Sequence, residues 1–456
     1  MKAVMREDLQ IKILEKLASG AKTAKELVNM LGVSQPSVSR AIGSLGSEAL
    51  TLGKSRATQY ARPRIVRGTT STFPVYRIDE AGDAHLIGKL YTLMAGQYWW
   101  QSEERTNGNR LYDYLPWFIQ DMRPDGFLGR SFANKEGADL GLPDKLKNWT
   151  DDDILIALSR RGEDHIGNLI IGDESIQRYM KAAQHNNHVI VEIDRLHIYP
   201  ELAEKALKGD SAGSSAGGEQ QKFTTIIQDG DELKHVLVKF SSPVNTQEGR
   251  RWADLLICEQ RALEIIDETE IVASQSRTLE AGNRLFLEVD RFDRIGTHGR
   301  SSIFSLSAID SEYTGIGDDW AKCAIALLNQ GVISQDDANK IRWLKAFGSL
   351  IGNTDMHLGN LSLIRVDSRF YTLAPVYDML PMLYRPVSGD TPDREFYPHG
   401  PTIETADIWD RALKSAIHFW DTVTGEPGLS GDFRAICRQN LETLLKIKSG
   451  PKIFTN

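Results

Sequence analysis

The stretch GNTDMHLGNLSLI, residues 352–364, constrains the fold of this chain more than any other. It places Asp355 and Asn360 five residues apart, directly before the apolar, strand-like run 361–364. A turn needs only one or two Asn, Asp or Gly residues. The additional polar side chains therefore predict a loop with a chemical role, held at the start of a strand.

A second carboxylate is predicted to approach this loop. The patterns at 361–364 and 370–373 predict a hairpin, and Asp378 follows it in APVYDML. Phosphoryl transfer needs a carboxylate near the attacking hydroxyl and oxygen ligands for Mg²⁺. Protein kinases supply an Asp, an Asn five residues later and a further Asp in this order. A polar turn, with Asp378 capping a helix, is the alternative.

A Gly- and Ser-rich segment, 209–218, precedes the strand pattern KHVLVKF at 234–240. Such a segment can bring backbone N–H groups close to phosphate, although Gly/Ser runs also serve as flexible linkers. It is not a P-loop, because GxxxxGK[ST] is absent. Lys239, near the strand end, is either a solvated edge residue or the phosphate-pairing lysine of a kinase.

The N-terminal region differs in charge from the rest of the chain. Residues 1–68 contain 12 Lys and Arg against 5 Asp and Glu, whereas the chain as a whole has a net charge of −8. Apolar periodicity, a capping-box pair at Thr23 and Glu26, and Pro36 predict successive helices followed by a basic hairpin. This is the pattern of a winged helix-turn-helix that binds double-stranded DNA, with a protein-docking domain as the alternative. The residues expected to face DNA are Gln35, Ser37, Ser39, Arg40, Lys54 and Arg56.

The composition excludes several classes of protein. No apolar stretch approaches the roughly 20 residues that a membrane span requires. The start, MKAVMREDLQ, lacks the apolar core of a secretion signal, so we expect a cytoplasmic protein without a membrane partner. The three cysteines lie far apart and are expected to be buried thiols.

Five motifs occur along the chain in a fixed order: SAGGEQQK at 215–222, VLVKF at 236–240, EVDRFDR at 288–294, GNTDMHLGN at 352–360 and APVYDML at 374–380. Together they resemble the HipA-like serine/threonine kinases, known as bacterial persistence toxins, over about residues 72–440. In ordinary systems of that family a separate antitoxin, HipB, supplies the DNA-binding helices. The fused helix-turn-helix is similar to stand-alone members of the family, in which the head does some of that work.

The resemblance implies an α+β multidomain fold. It predicts a winged helix-turn-helix at 1–68 and a HipA-like N-terminal subdomain at 69–206. A kinase N-lobe with the Gly-rich loop is expected at 207–289, and a mostly helical C-terminal lobe with the catalytic and metal-binding loops at 290–456.

The resemblance also assigns roles to residues. Lys239 would pair the phosphates of ATP, and Asp355 would orient or deprotonate the acceptor hydroxyl. The expected Mg²⁺ ligands are Asn360 and Asp378. Further ATP contacts are expected from Gly218, Gln220, Lys222, Asp290, Phe292 and His357, although the family usually has Glu at the position of Asp290.

Two more roles concern regulation and the pairing of the lysine. Ser215 matches the loop serine that the family autophosphorylates, and Ser214 is the neighbouring candidate. A phosphoserine beside the site for ATP phosphates would favour an inactive state by charge repulsion. Glu259 is either the glutamate that pairs Lys239 or a solvated helical side chain.

The resemblance therefore implies an ATP- and Mg²⁺-dependent protein serine/threonine kinase that causes growth arrest. Its expected partners are a protein with a Ser or Thr acceptor and double-stranded DNA; a HipB-like antitoxin and a second copy of the chain are further candidates. The main alternative is a DNA-binding transcriptional regulator whose kinase-like body only senses a nucleotide or metabolite. A nuclease that uses Asp355 and Asp378 would leave Lys239 unexplained, and no DxGxT motif supports a sugar-kinase repressor.

Overall fold

The computed structural model describes residues 2–54, 58–104, 108–184, 189–209 and 220–449. Helices and mainly antiparallel sheets follow one another along the chain, which confirms the predicted α+β class. Across these ranges, no helix combines the length and the apolar character needed to cross a bilayer.

The N-terminal segment folds as a helix-turn-helix with a wing. Its elements are α1 (Lys2–Leu17), β1 (Lys22–Thr23), α2 (Ala24–Leu31), α3 (Gln35–Gly43), β2 (Leu50–Leu52) and β3 (Gln59–Ala61). The predicted capping box is present, because Thr23 Oγ1 accepts from the Glu26 N–H and the Glu26 carboxylate accepts from the Thr23 N–H at 2.7 Å. Gly32 ends α2 with φ of 64°, a left-handed conformation that glycine adopts without Cβ strain.

The wing packs against the middle of the chain. Leu52 and Ala61 from the wing share a buried apolar cluster with Leu93 and Trp99. Beside this cluster, Gln97 Oε1 accepts a hydrogen bond from the backbone N–H of Ala21 at 2.8 Å. One face of the wing is therefore part of the protein interior.

An antiparallel sheet of order β7-β6-β5-β4-β8 organises the middle segment. Its strands β4 and β5 form a hairpin. The elements are β4 (Thr72–Ile78), β5 (Ala84–Thr92), β6 (Tyr98–Ser102), β7 (Arg110–Tyr112), α4 (Trp117–Gln120), α5 (Gly126–Glu136), α6 (Asp151–Arg161), β8 (Leu169–Ile171) and α7 (Asp173–Gln184). This sheet shares the largest apolar cluster of the protein with the helices of the C-terminal half.

A second sheet, of order β12-β13-β11-β10-β9, contains the lysine strand. Its elements are β9 (Val189–Ile190), α8 (Arg195–Gly209), β10 (Lys222–Asp229), β11 (Glu232–Phe240), α9 (Gln247–Asp267), β12 (Ser276–Ala281) and β13 (Arg284–Asp290). Although the predicted boundary assigns 189–206 to the middle segment, β9 pairs with β10 and α8 packs on this sheet. Apolar packing explains why α8 belongs with this sheet, because Tyr199 and Ala203 of α8 are buried against Phe223 and Phe286.

The C-terminal part is mostly helical, as predicted. Its elements are β14 (Arg294–Ile295), β15 (Gly299–Arg300), β16 (Ile303–Ser305), α10 (Leu306–Tyr313), α11 (Trp320–Asn329), α12 (Gln335–Leu350), β17 (Ser362–Arg365), β18 (Tyr371–Leu373), α13 (Trp409–Gly425) and α14 (Gly431–Ser449). The predicted hairpin is β17 with β18. Cys258, Cys323 and Cys437 are buried free thiols, as expected.

Candidate active site

Lys239 lies near the end of β11, between two neighbouring strands. In the ladder it is opposite Lys222 of β10 and Leu287 of β13. Only 3% of the Lys239 side chain is exposed. A buried ammonium group needs charged or hydrogen-bonding partners. The interpretation of Lys239 as a solvated edge residue is therefore wrong.

Glu259, on α9, is one partner of this lysine. Lys239 Nζ donates a hydrogen bond to Glu259 Oε1 at 2.5 Å, and the Glu259 side chain has no exposed area. The interpretation as a solvated helical glutamate is wrong because α9 packs between the second sheet and α13, which encloses this face of the helix. Burial raises the pKa of Glu259, and the attraction of Lys239 opposes that rise.

Asp378 is the second partner. Lys239 Nζ also donates to Asp378 Oδ1, so one buried ammonium group joins two carboxylates. Burial disfavours the charged form of Lys239, but the attraction of Asp378 and Glu259 outweighs it and raises the pKa of the lysine. Burial opposes the charged form of Asp378 as well, yet the attraction of Lys239 and Lys222 lowers its pKa overall. All three groups are therefore held in place by their charges.

The loop that contains Asp355 is joined to Asp378 through a buried amide. Asn353 Oδ1 accepts from the Asp355 N–H at 3.0 Å, and Asn353 Nδ2 donates to the Asp378 carbonyl at 3.3 Å. Asn360 Nδ2 donates to the Asp355 carbonyl at 2.8 Å. Hydrogen bonds thus bring Asp355, Asn360 and Asp378 into one network. The excess of polar residues in this loop is visible in the sequence, but no motif or spacing marks Asn353 for a role.

The backbone at Asp378 is unusual. Its φ of 53° lies in the left-handed region, which residues other than glycine, asparagine and aspartate rarely enter. Such conformations persist only where the surroundings impose them, and they concentrate at functional sites. Here the hydrogen bond from Asn353 to the Asp378 carbonyl and the ion pair with Lys239 hold the residue from both ends.

His357 has a local structural role in the same loop. Its Nδ1 accepts from the Gly359 N–H at 3.1 Å, and its carbonyl accepts from Trp320 Nε1 at 2.9 Å. The imidazole is exposed and precedes the short turn 358–360. The predicted contact of this ring with ATP stays a prediction.

A cavity of about 660 Å³ opens onto Lys239 and Asp378 and lies within the usual size range of small-ligand sites, whereas Asp355, His357 and Asn360 are not among its lining residues. Lys222, Lys239, Asp378, Asp290 and Phe292 all line it, so several predicted ligand contacts share one space. The ring of Phe292 lies 5.7 Å from the ring of Tyr377, centroid to centroid. The carboxylate of Asp290 is 3.6 Å from the ammonium of Lys234.

The middle segment supplies another wall of this cavity, which the sequence analysis missed. Leu128, Phe132 and Ile166 line it, and no motif or spacing marked them. Ser274 also lines it; its hydroxyl is buried and finds no hydrogen-bond partner among the residues that the structure describes. A buried hydroxyl of this kind is a ready contact for a polar ligand.

The predicted phosphate loop lies largely outside the described residues. Gly218, Ser214 and Ser215 fall within 210–219, which is not described. Gln220 follows that segment, and its Nε2 donates to the Phe240 carbonyl at 2.6 Å. This bond ties the end of the loop segment to the end of the lysine strand.

The metal ligands were predicted as one carboxylate and one amide. Within the described ranges, no group of three or more His, Cys, Asp and Glu side chains is arranged to hold a metal ion. A kinase Mg²⁺ needs fewer protein ligands, because phosphate oxygens and water complete its shell. Asn360 directs its amide N–H groups at Asp355, so Oδ1 is the atom left for a metal. The Asp378 carboxylate is partly exposed, so these two residues fit the group.

The predicted DNA-contacting residues lie on one helix and on the wing. Gln35, Ser39 and Arg40 are exposed on α3, and Ser37 is half-buried beside them. Lys54 is exposed at the end of the wing strand, and Arg56 lies outside the described residues. An exposed polar face on the second helix of a helix-turn-helix is the surface that enters the major groove.

Comparison with protein families divides the chain into matched regions. Residues 69–180 match the family described as the YjjJ-like toxin, middle domain, and residues 214–442 match the HipA-like C-terminal domain. Residues 8–41 match the bacterial regulatory proteins of the arsR family.

Individual relatives were also found. Toxin YjjJ of Escherichia coli (strain K12) is 37% identical over 438 residues, which is 95% of this chain and 97% of the relative. Among solved structures, HipA in the HipA, HipB and operator DNA complex of Shewanella oneidensis MR-1 aligns with a TM-score of 0.48 and 15% identity, over 82% of this chain and 97% of that one. The proinflammatory kinase CtkA of Helicobacter pylori aligns with a TM-score of 0.35 and 16% identity, over 52% of this chain and 90% of that one.

Proposed function

The chain belongs to the YjjJ-like toxins and has a HipA-like C-terminal domain, and we propose that it is an ATP- and Mg²⁺-dependent protein serine/threonine kinase. The family membership confirms the resemblance drawn from the five motifs. The observation that carries the proposal is the buried Lys239, which donates to both Glu259 and Asp378 beside a ligand-sized cavity.

Lys239 would act as a fixed positive charge for the phosphates of ATP. Its pKa is raised, so the ammonium stays protonated throughout the physiological range. Glu259 would hold the ammonium in position, as the αC glutamate does in protein kinases. Because the ammonium is already paired with two carboxylates, phosphate would replace part of an existing set of contacts rather than create a new site.

Asp355 would orient the acceptor hydroxyl of a Ser or Thr in a protein substrate and accept its proton. The hydrogen bonds from Asn353 and Asn360 support this role, because they fix the backbone around the carboxylate. Asn360 Oδ1 and the Asp378 carboxylate would hold Mg²⁺, which neutralises phosphate charge during transfer.

The cavity would accommodate the nucleotide. Asp290 and Phe292 would contact the adenine side, and the buried hydroxyl of Ser274 offers a polar contact of its own. Gly218, Gln220 and Lys222 would contact the phosphates, and His357 would add a contact from the loop that contains Asp355. The proximity of Lys222 to Asp378, which lowers the carboxylate pKa, supports a phosphate-binding end near both residues.

The proposal extends to regulation and cellular outcome. Phosphorylation of Ser215, or of Ser214 beside it, would silence the enzyme by placing negative charge next to the phosphate site. Phosphorylation of a target protein would arrest growth, as expected of a toxin. A HipB-like antitoxin and a second copy of the chain are the regulatory partners that we propose to test.

The head would bind double-stranded DNA through α3 and the wing, and a DNA-bound toxin would act in the cytoplasm. The arsR-family match at 8–41 supports this role, as does the exposed polar face with Gln35, Ser39 and Arg40. Ser37, Lys54 and Arg56 would add contacts from the same helix and from the wing.

The decisive experiment measures intact mass after phosphatase treatment, removal of the phosphatase and incubation with ATP and Mg²⁺. The wild type should gain a phosphate that peptide mapping locates at Ser215 or Ser214. Asp355→Asn and Lys239→Met should gain none. Asp421→Asn, an exposed residue of α13, is the matched control and should behave as the wild type does.

Binding measurements on the same phosphatase-treated protein distinguish the kinase from the rival function, a DNA-binding regulator that senses a nucleotide. ATP binding without any phosphate gain, together with a DNA affinity that changes when ATP is added, would favour the sensor. A wild type that neither gains phosphate nor binds ATP would contradict both the kinase and the nucleotide sensor.

A further inference from the structure

A second cavity, of about 310 Å³, lies between the middle segment and the second sheet. We call it the arginine cavity, because Arg291, Arg294 and Arg300 all line it. Helix α7 forms one side, and β10 forms another through Thr224 and Thr225. It shares Glu163, Asp164, Thr224 and Arg291 with the candidate active-site cavity but contains neither Lys239 nor Asp378.

Two of the three arginines are neutralised by carboxylates. Arg291 pairs with Asp293 at 2.9 Å, and Arg294 pairs with Asp293 at 2.6 Å. Arg294 also reaches Asp164 at 3.0 Å. Glu163, the other carboxylate that lines the cavity, is paired with Arg178 at 2.7 Å. Each of these carboxylates therefore has an arginine partner, and Glu163 Oε2 is the one of their oxygens that is buried without a hydrogen-bond partner among the described residues.

Arg300 is different. Only 4% of it is exposed, and its guanidinium lies 4.9 Å from the centroid of the Tyr179 ring. It donates to the Glu163 carbonyl, but Nη1 has no hydrogen-bond partner and no carboxylate lies within ion-pair distance among the described residues. Burial, reinforced by repulsion from Arg294 and opposed by the attraction of Asp164, lowers the pKa of Arg300 to about 9. A buried cation without a carboxylate in direct contact is costly, because one carbonyl and a distant carboxylate replace only part of the water it has lost.

We propose that the arginine cavity binds a compact phosphate-like oxyanion, with Arg300 as its main contact. The planar guanidinium presents paired N–H groups that match two oxygens of such an anion. Thr224 and Thr225 of β10 also line the cavity, and since neighbouring side chains of a strand point to opposite faces, one of their hydroxyls is available as a further donor. Since the site contains no residue of the proposed catalytic set, it does not depend on the kinase activity.

Inorganic phosphate is the probe, titrated into the full-length protein in a chloride buffer and followed by calorimetry. The wild type should show saturable binding. Arg300→Gln should weaken binding by roughly tenfold or more, the usual effect of losing a charge-assisted contact. Arg110→Gln is the matched control, because Arg110 is a half-exposed arginine paired with Glu312 outside this cavity. It should bind as the wild type does.

A second pair of variants covers the case in which Arg300→Gln does not fold. Ala182 lines the cavity from an exposed position on α7, so either substitution there should leave the helix intact. Ala182→Glu adds a negative charge at the rim and should weaken phosphate binding severalfold, whereas Ala182→Gln should not. Phosphate that instead binds in the active-site cavity would be lost in Lys222→Gln and retained in Ala182→Glu, which would overturn the proposal. Absence of saturable binding to the wild type would overturn it as well.

Discussion

The ammonium group of Lys239 donates a hydrogen bond to the carboxylate of Asp378, although 139 positions separate the two residues in the chain. The same ammonium reaches Glu259 on α9, so a strand, a helix and a loop meet at one charge. The buried carboxylate of Glu259 and the partly exposed carboxylate of Asp378 would repel each other without the lysine between them. The stability of this region and its proposed chemistry therefore depend on the same three side chains.

Lys239→Met should destabilise the protein markedly, because it leaves Glu259 buried without its cation. The expected loss in the free energy of unfolding is about 3 kcal/mol. Lys234→Met is the matched control on the same strand: its ammonium is partly exposed and pairs with Asp229, so the loss should be within about 1 kcal/mol. Urea denaturation followed by fluorescence measures both. Equal losses would show that the buried position of Lys239 has no special energetic role.

Asp378→Asn should remove the effect of Mg²⁺ on nucleotide binding. The substitution keeps the shape of the side chain but removes the charge that would attract the ion. We expect the Mg²⁺ concentration that half-saturates this effect to rise by at least roughly tenfold. Calorimetric titration of a non-hydrolysable ATP analogue, with Mg²⁺ or with EDTA, measures it. If the variant still responds to Mg²⁺ as the wild type does, the metal is held elsewhere.

His165 should make the fold sensitive to mild acid. Burial lowers its pKa from 6.5 to about 4, and the nearby cations Arg294, Arg300 and Arg291 act in the same direction. The neutral ring therefore contributes stability that is complete above about pH 6.5 and is lost as the pH falls towards 4. Between about pH 7 and about pH 5 the wild type should lose roughly 1–2 kcal/mol from this group.

The test of this acid sensitivity compares unfolding midpoints at the two pH values. His165→Phe should remove most of the loss and keep the packing, because the imidazole lies edge-on to Phe132, 5.4 Å away. His197→Phe, at an exposed position on α8, is the control and should leave the pH dependence unchanged. A pH dependence that survives His165→Phe would assign it to another group.

Lys54→Ala and Arg40→Ala should each weaken binding to duplex DNA. If a residue contacts a phosphate, its removal should reduce the slope of log affinity against log salt concentration by about 1. Lys205→Ala, an exposed lysine of α8, should change neither the affinity nor the slope. Fluorescence anisotropy of a labelled duplex across a salt series measures both. A head that docks protein instead would show no saturable DNA binding.

Local signals in the sequence predicted most of the elements around the site. The hairpin of β17 with β18 and the lysine strand follow from patterns within a few residues of one another, as does the capping box at Thr23 in the head. Such patterns act through backbone hydrogen bonds and the alternation of apolar side chains, which are local.

The contacts of the site could not be predicted in the same way. Whether Glu259 points at solvent or at Lys239 depends on how α9 packs, and that is decided by apolar residues spread over the whole chain. Phe132 and Ile166 reach the cavity only because the middle segment folds over the second sheet. No sequence pattern marks Arg300, because its lack of a carboxylate within ion-pair distance among the described residues depends on the tertiary structure.

The wing of the head is partly interior, because Leu52 and Ala61 are packed against Leu93 and Trp99. Separating the wing from the middle segment would expose this apolar surface to water. We therefore expect the head and the middle segment to move together. DNA bound by α3 would then fix the orientation of the candidate active-site cavity relative to the DNA axis. Two copies bound to a symmetric operator would therefore hold their candidate active-site cavities at a fixed distance and angle from each other. Access of a protein substrate would be decided by the spacing of the DNA sites as well as by the pocket.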